Sequence, residues 1–308
     1  MSSLNLDGKI ALVTGGARGW GRGIALELAS RGAFVTINGT RAETVEPTVA
    51  AIQEAGGTAA PAIADLAAPE GPAAAVDATV AAFGGIDILI NNAGFLAPAP
   101  LVEMSDEQWD SLIAVQLTAQ FRASRQAARQ MIAQGRGGRI ISMVGGGGFT
   151  GLPNNANHCA SKGGGMGAVL TWAQELTPHN ITVNGVCGIV ETELTEPLRD
   201  KMREALKAAG RRYDITAREF GSYPPREAAA LVVWLASDAA QNVTGQFMEI
   251  RGPLVSLWRM AQIERSWHHF PHWTPELLEQ AGIGELAGGP ARIEPSHTVL
   301  PLQKFLRG

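Results

Sequence analysis

Thr14-Gly15-Gly16-Ala17-Arg18-Gly19-Trp20-Gly21 follows a short apolar run, Ile10–Thr14, and opens a segment of helical period. Strand, glycine loop and helix in that order are the context a dinucleotide needs. Gly15, Gly19 and Gly21 let the backbone turn tightly and approach a pyrophosphate, whose charge then faces the N–H groups of the helix start. The same alternation continues outward from this loop. Apolar runs at Phe34–Asn38, Ala60–Ile63, Ile86–Asn91, Arg139–Val144, Thr182–Cys187 and Gln246–Ile250 read as strands. Helices are expected between them, starting near Gly21, Ala42, Pro72, Ser105, His158 and Pro225. Ser105, followed by Asp106 and Glu107, marks a capped helix start, and Gly135 marks its stop. Strands alternating with helices predict an α/β fold with a doubly wound parallel sheet, the Rossmann arrangement. From about Leu254 the pattern changes: Trp258, Trp267, Phe270 and Trp273 cluster with prolines and glycines, and no strand alternates with a helix. The reading is one domain over residues 1–253 and a C-terminal extension over residues 254–308 that covers the substrate pocket or a subunit interface.

Composition narrows the partners. With 308 residues, of which 45% are hydrophobic, the chain can bury a large core. A net charge of -4 and 18% charged residues leave no basic stripe for nucleic acid and no polybasic arm for a membrane, so a small molecule is the expected partner. The first residues lack a charged leader, and no run of about 18 apolar residues occurs, from which a cytoplasmic location is expected. Cys159 and Cys187 are too few for a disulfide framework and lack metal-ligand spacing. His268, His269 and His272 lack the one-face helical placement of His-Glu-x-x-His, so no metal is expected.

Asn91-Asn92-Ala93-Gly94, after the fourth strand, completes a second motif. Together with the Gly15/Gly19/Gly21 spacing it resembles the short-chain dehydrogenase/reductase family, over roughly residues 6–253. The resemblance implies that Asn92 and its neighbours buttress the sheet beside the cofactor, that Asp65 contacts the adenine, and that Thr192 helps hold the nicotinamide carboxamide. It also implies a homodimer or homotetramer, and a mobile substrate lid within Glu193–Tyr223. A site reading NAD places a carboxylate at the end of the second strand. Here that position is Gly39, followed by Thr40-Arg41. Arg41 and the loop residue Arg18 can grip a 2′-phosphate with forked donors, which points to NADP(H); two solvated surface arginines are the alternative.

The family's active-site Tyr-x-x-x-Lys reads His158-Cys159-Ala160-Ser161-Lys162 here. Gly145 stands thirteen residues before His158, where the family has a serine, and Gln116 stands in Val115-Gln116-Leu117, where it has an asparagine. The candidate catalytic set is therefore His158, Lys162, Gln116 and Gly145. Lys162 is expected to bond the nicotinamide ribose. Its ammonium pushes His158 toward the neutral form, a better base than acid, or a neutral N–H donor to a carbonyl as in triosephosphate isomerase. The run Gly145–Gly148 either supplies backbone N–H groups as an oxyanion hole or forms a flexible loop. Asn154, Asn155 and Asn157 are other nearby donors. Three functions remain open: an NADP(H)-dependent oxidoreductase interconverting alcohol and carbonyl on a bulky or aromatic small molecule, a non-redox lyase or isomerase using His158 as base, and a silent nucleotide-binding protein.

Overall fold

The computed structural model describes residues 4–193, 195–214, 216–218, 222–260 and 274–280. The chain begins β1 (Ile10–Val13), α1 (Gly19–Ser30), β2 (Phe34–Gly39), α2 (Ala42–Glu54), β3 (Thr58–Ile63), α3 (Gly71–Phe83) and β4 (Ile88–Asn91). It continues through α4 (Asp106–Ile113), a π-helical turn (Ala114–Thr118), α5 (Ala119–Gln134), β5 (Gly138–Met143), α6 (Gly147–Thr150), α7 (Ala156–Leu176) and β6 (Ile181–Gly188). It closes with α8 (Glu196–Ala208), α9 (Pro225–Ala228), α10 (Ala230–Ala236), β7 (Phe247–Arg251), β8 (Leu254–Trp258) and α11 (Pro275–Gln280). The expected strands recur within two residues of their sequence limits.

One sheet of order β3-β2-β1-β4-β5-β6-β7-β8 runs through the molecule, parallel from β3 to β7. Strands β1 and β4 are buried throughout because helices cover both faces, which is why they read as unbroken apolar runs. Ile24 and Leu28 of α1, Val45 and Ile52 of α2, and Leu235 of α10 pack on one face. Val76 of α3, Met131 of α5, and Met166 and Val169 of α7 pack on the other. The reversal of strand order between β1 and β4 opens a crevice at their carboxyl ends, where α/β sheets place ligands. No helix among the described residues is long and apolar enough to cross a membrane.

Three features differ from the sequence reading. Residues after 253 were expected to leave the sheet, yet β8 turns back at Gly252-Pro253 and pairs antiparallel with β7, Arg251 opposite Leu254 and Phe247 opposite Trp258. The helix expected from Ser105 to Gln134 is interrupted by the π turn at Ala114–Thr118. The glycine run ends as the helical turn α6 rather than as loop. The Ser105 cap and the left-handed Gly135 stop occur as expected, Ser105 and Gln108 forming a reciprocal capping box.

Candidate active site

Thr14 joins the glycine loop to the stretch after β4. Its hydroxyl donates to the Ile90 carbonyl at 3.1 Å and accepts from the N–H groups of Asn92 and Ala93 at 2.9 and 3.1 Å. Asn92 Nδ2 donates to the carbonyls of Thr14 and Gly15, at 2.9 and 3.2 Å. The Gly15 N–H donates to Asn38 Oδ1 at 3.3 Å, and Asn38 Nδ2 is spent on the Ala62 and Ala64 carbonyls. A side chain at Gly21 would stand 2.4 Å from Asn92 Nδ2, so only glycine lets α1 close on this network. Sequence reasoning did not assign Thr14 or Asn38 to the site; a polar residue closing an apolar strand was their one signal.

The residues present fit a dinucleotide. Helix α1 starts at Gly19 with no acidic residue in its first turn, and among the described residues no side chain caps it, which leaves its N–H groups for an anion. The end of β2 carries Gly39, with Thr40 and Arg41 exposed beside it. Arg18 is exposed as well and paired with Glu193 at 3.4 Å. Such a solvated pair is worth little, so a phosphate can displace the carboxylate. Thr192 lies against the loop, its Cγ2 3.2 Å from where a side chain on Gly19 would be. Asp65 is exposed and accepts from the Ala67 N–H at 2.9 Å. Trp20 leans on Gly188: a methyl there would stand 2.9 Å from its ring.

His158 lies in the first turn of α7, with its ring facing Gly145; a methyl on Gly145 would stand 3.7 Å from Nε2 and 3.6 Å from Lys162 Cγ. Gly145, Lys162 and His158 therefore border one small space. Nδ1 of His158 is buried without a partner among the described residues. Burial first, and the Lys162 ammonium second, lower the imidazole to about 4, so it is neutral at pH 7. The neutral form was expected, but from the Lys162 charge; desolvation is the larger cause. Lys162 Nζ donates to the Met143 carbonyl at 2.6 Å. Burial lowers this ammonium to about 8 against the opposing pull of Cys187, and it remains a cation at neutral pH.

Of the other expected donors, Asn157, Asn155 and Gln116 are committed elsewhere. Asn157 Nδ2 donates to the Ala97 and Gln108 carbonyls, both at 3.0 Å, and its Oδ1 accepts from the His158 N–H at 2.8 Å. Asn155 Nδ2 is held by the Pro153 carbonyl, and Asn154 is exposed. Gln116 sits in the π turn, where its Nε2 donates to the Phe95 carbonyl and its Oε1 accepts from Ser161 Oγ at 3.3 Å. With Thr14, Gln120 and Lys162 it lines a cavity of about 10 Å³, the size of one water. In the glycine run the Gly148 and Phe149 N–H groups are spent on the Gly145 and Gly146 carbonyls. His268, His269 and His272 lie outside the described residues, and no group of three metal-binding side chains forms among the described ones.

Comparison with known proteins agrees with this geometry. The family model for short chain dehydrogenases matches residues 9–203. The chain is 40% identical over 253 residues to nodulation protein G of Rhizobium sp. (strain N33), covering 82% of this chain and 99% of that one. It is 37% identical over 253 residues to the 3-oxoacyl-[acyl-carrier-protein] reductase FabG of Thermotoga maritima, covering 82% of this chain and 100% of the reductase. A Beutenbergia cavernae protein crystallised with NADP bound at low occupancy, provisionally named an NAD(P) dependent gluconate 5-dehydrogenase, superposes with a TM-score of 0.73. It is 34% identical, over 82% of this chain and 98% of its own. Glycine loop, buttressing asparagine, sheet order and these likenesses converge, and the chain belongs to the short-chain dehydrogenase/reductase family of NAD(P)-dependent oxidoreductases.

Proposed function

We propose that this protein is an NADP(H)-dependent oxidoreductase that interconverts an alcohol and a carbonyl on a bulky or aromatic small molecule, with His158 handling the proton in place of the family's tyrosine. The observation that carries the reading is the half-buried, neutral imidazole, its Nδ1 wholly enclosed, facing the Gly145 space one helical turn from Lys162. The dinucleotide supplies the hydride acceptor or donor when bound. Oxidation then needs a group that takes the hydroxyl proton, and His158 Nε2 faces the space where that oxygen fits. Reduction needs the reverse transfer, or a neutral N–H that polarises the carbonyl. With Gly145 in the serine's place, a substrate oxygen has no hydroxyl donor there; the backbone N–H groups of Gly145, Gly146 and Gly147 are the candidates for that role. Arg18, Thr40 and Arg41 support NADP(H), since a carboxylate beside a 2′-phosphate would repel it. The extension beyond residue 253 belongs to the reading as a cover over the substrate pocket or a subunit interface. Trp109 and Phe121, exposed on α4 and α5, suit the face of a homodimer or homotetramer.

The test is isotopic. Deuteride carried by the cofactor is expected in the product, and His158→Ala is expected to lower kcat at least a hundredfold, the scale of a lost acid/base group. Turnover without deuterium transfer and without net cofactor change would favour the non-redox reading. Full turnover of His158→Ala would remove the proton role in both.

A further inference from the structure

Strand β8 reaches the candidate site through an aromatic stack. Trp258, its last residue, lies almost parallel to Phe149, with ring centroids 4.6 Å apart and an interplanar angle of 10°. Phe149 in turn meets Phe247 of β7 edge-on, at 5.7 Å and 83°. The indole N–H of Trp258 donates to Glu249 at 3.0 Å, and Glu249 is itself buried in an ion pair with Arg251 at 2.6 Å. A stacking face and a buried acceptor together restrict the indole to one orientation.

Phe149 belongs to α6, which continues the glycine run. Within residues 145–150 only Phe149 and Thr150 carry side chains, and the Thr150 hydroxyl bonds inside the turn, to the Gly146 and Gly151 carbonyls. Phe149 is therefore the one apolar anchor of the segment. The backbone beside it presses on α7: a methyl at Gly148 would stand 2.8 Å from Gly163 N and Lys162 C, and one at Gly147 would stand 3.8 Å from His158 Cδ2. Four glycines have no side chains with which to hold such a contact, so the force that keeps them there comes from the flanking stack.

We propose that Trp258 is a positioning residue for the active site: stacked on Phe149, it holds the α6 backbone against α7 and so fixes the wall beside His158. The proposal rests on the reading of His158 as the proton-handling group. It makes a strand beyond the family-matched region part of the catalytic architecture.

The experiment uses the full chain with Trp258→Ala, Trp258→Phe and, should the alanine variant not fold, Phe149→Leu. The His158 titration is followed by proton–carbon NMR, beside kcat and the NADPH affinity. Loosening α6 admits water to the imidazole, so Trp258→Ala is expected to raise its pKa by about one unit or more. The same variant is expected to lower kcat on the order of tenfold while NADPH binding stays at the parent value. Trp258→Phe, which keeps a stacking ring, is expected to restore both. A folded Trp258→Ala or Phe149→Leu protein whose His158 titrates as in the parent overturns the proposal. Undiminished turnover of His158→Ala would instead sink the proton role, whatever Trp258 does to the titration.

Discussion

Acid should weaken this fold through His158. The imidazole titrates near 6.5 when solvated and near 4 in the folded chain, where burial and Lys162 disfavour its charge. Its folded pKa lies below the unfolded one, so the unfolded chain binds more protons and stability falls as the pH drops through 6.5 toward 4. At pH 5 the unfolded imidazole is almost fully protonated while the folded one carries about a tenth of a proton. Integrating that difference from pH 8 gives a loss of about 2 kcal/mol, approaching a ceiling of about 3 kcal/mol below pH 4. For a chain of this length that corresponds to a Tm lowered by roughly 3 °C. Urea unfolding of the parent and of His158→Gln, each at pH 8 and pH 5, isolates the term, because every other histidine and carboxylate contributes equally to both proteins. The parent is expected to lose about 2 kcal/mol more than the variant over that interval. Equal losses would mean that His158 is solvated and readily charged, and the argument for a neutral catalytic imidazole would fail with it.

Other outcomes test the remaining parts. Alcohol oxidation, which uses the neutral ring, should be flat in kcat/KM from about pH 5 to 7, below the Lys162 titration near 8, whereas any reduction that draws its proton from this ring should fall about tenfold per pH unit above about 4; a shared optimum near 7 would contradict the assignment. Gly145→Ala meets nothing closer than 3.6 Å but sits at φ 51°, so denaturant titration should show a loss of about 1–2 kcal/mol from backbone strain alone. Arg41→Ala should weaken NADPH binding about tenfold or more and leave NADH unchanged, read by cofactor fluorescence; equal affinities would return Arg41 to the solvated surface. Thr14→Val keeps the shape but strands the Asn92 and Ala93 N–H groups, and should cost about 1–3 kcal/mol in stability together with cofactor affinity.

The fold was largely legible because its signals are local. A glycine loop between an apolar run and a helix, and strands buried on both faces, announce a parallel sheet without any knowledge of distant contacts. Positions 158, 162 and 145 were singled out by the resemblance to the family's motif rather than by local pattern, and the structure brings the three around one space. What could not be read depends on packing. Nothing local says that His158 is desolvated more by its surroundings than by Lys162. The Asn157 amide looked free until α7 brought it to the Ala97 and Gln108 carbonyls. Strand β8 was missed because Gly252-Pro253 reads as a break, although the same pair makes a hairpin turn, and five residues give too little periodicity to outweigh it. The stack of Trp258 on Phe149 joins positions more than a hundred residues apart.

The π turn at Ala114–Thr118 has a consequence for how this chain tolerates a change of length. A π turn holds one residue more than the α ladder around it, so removing one residue there allows α4 and α5 to merge into a single regular helix. Sheet register and both helix axes are spared. What changes is rotation: Gln116 would swing by about 100°, the angle one residue subtends, and release both the Phe95 carbonyl and Ser161. The extra residue thus works as an indexing pin, setting which amide faces α7, and a one-codon deletion would reset that face while the packing of α5 on the sheet stays in place.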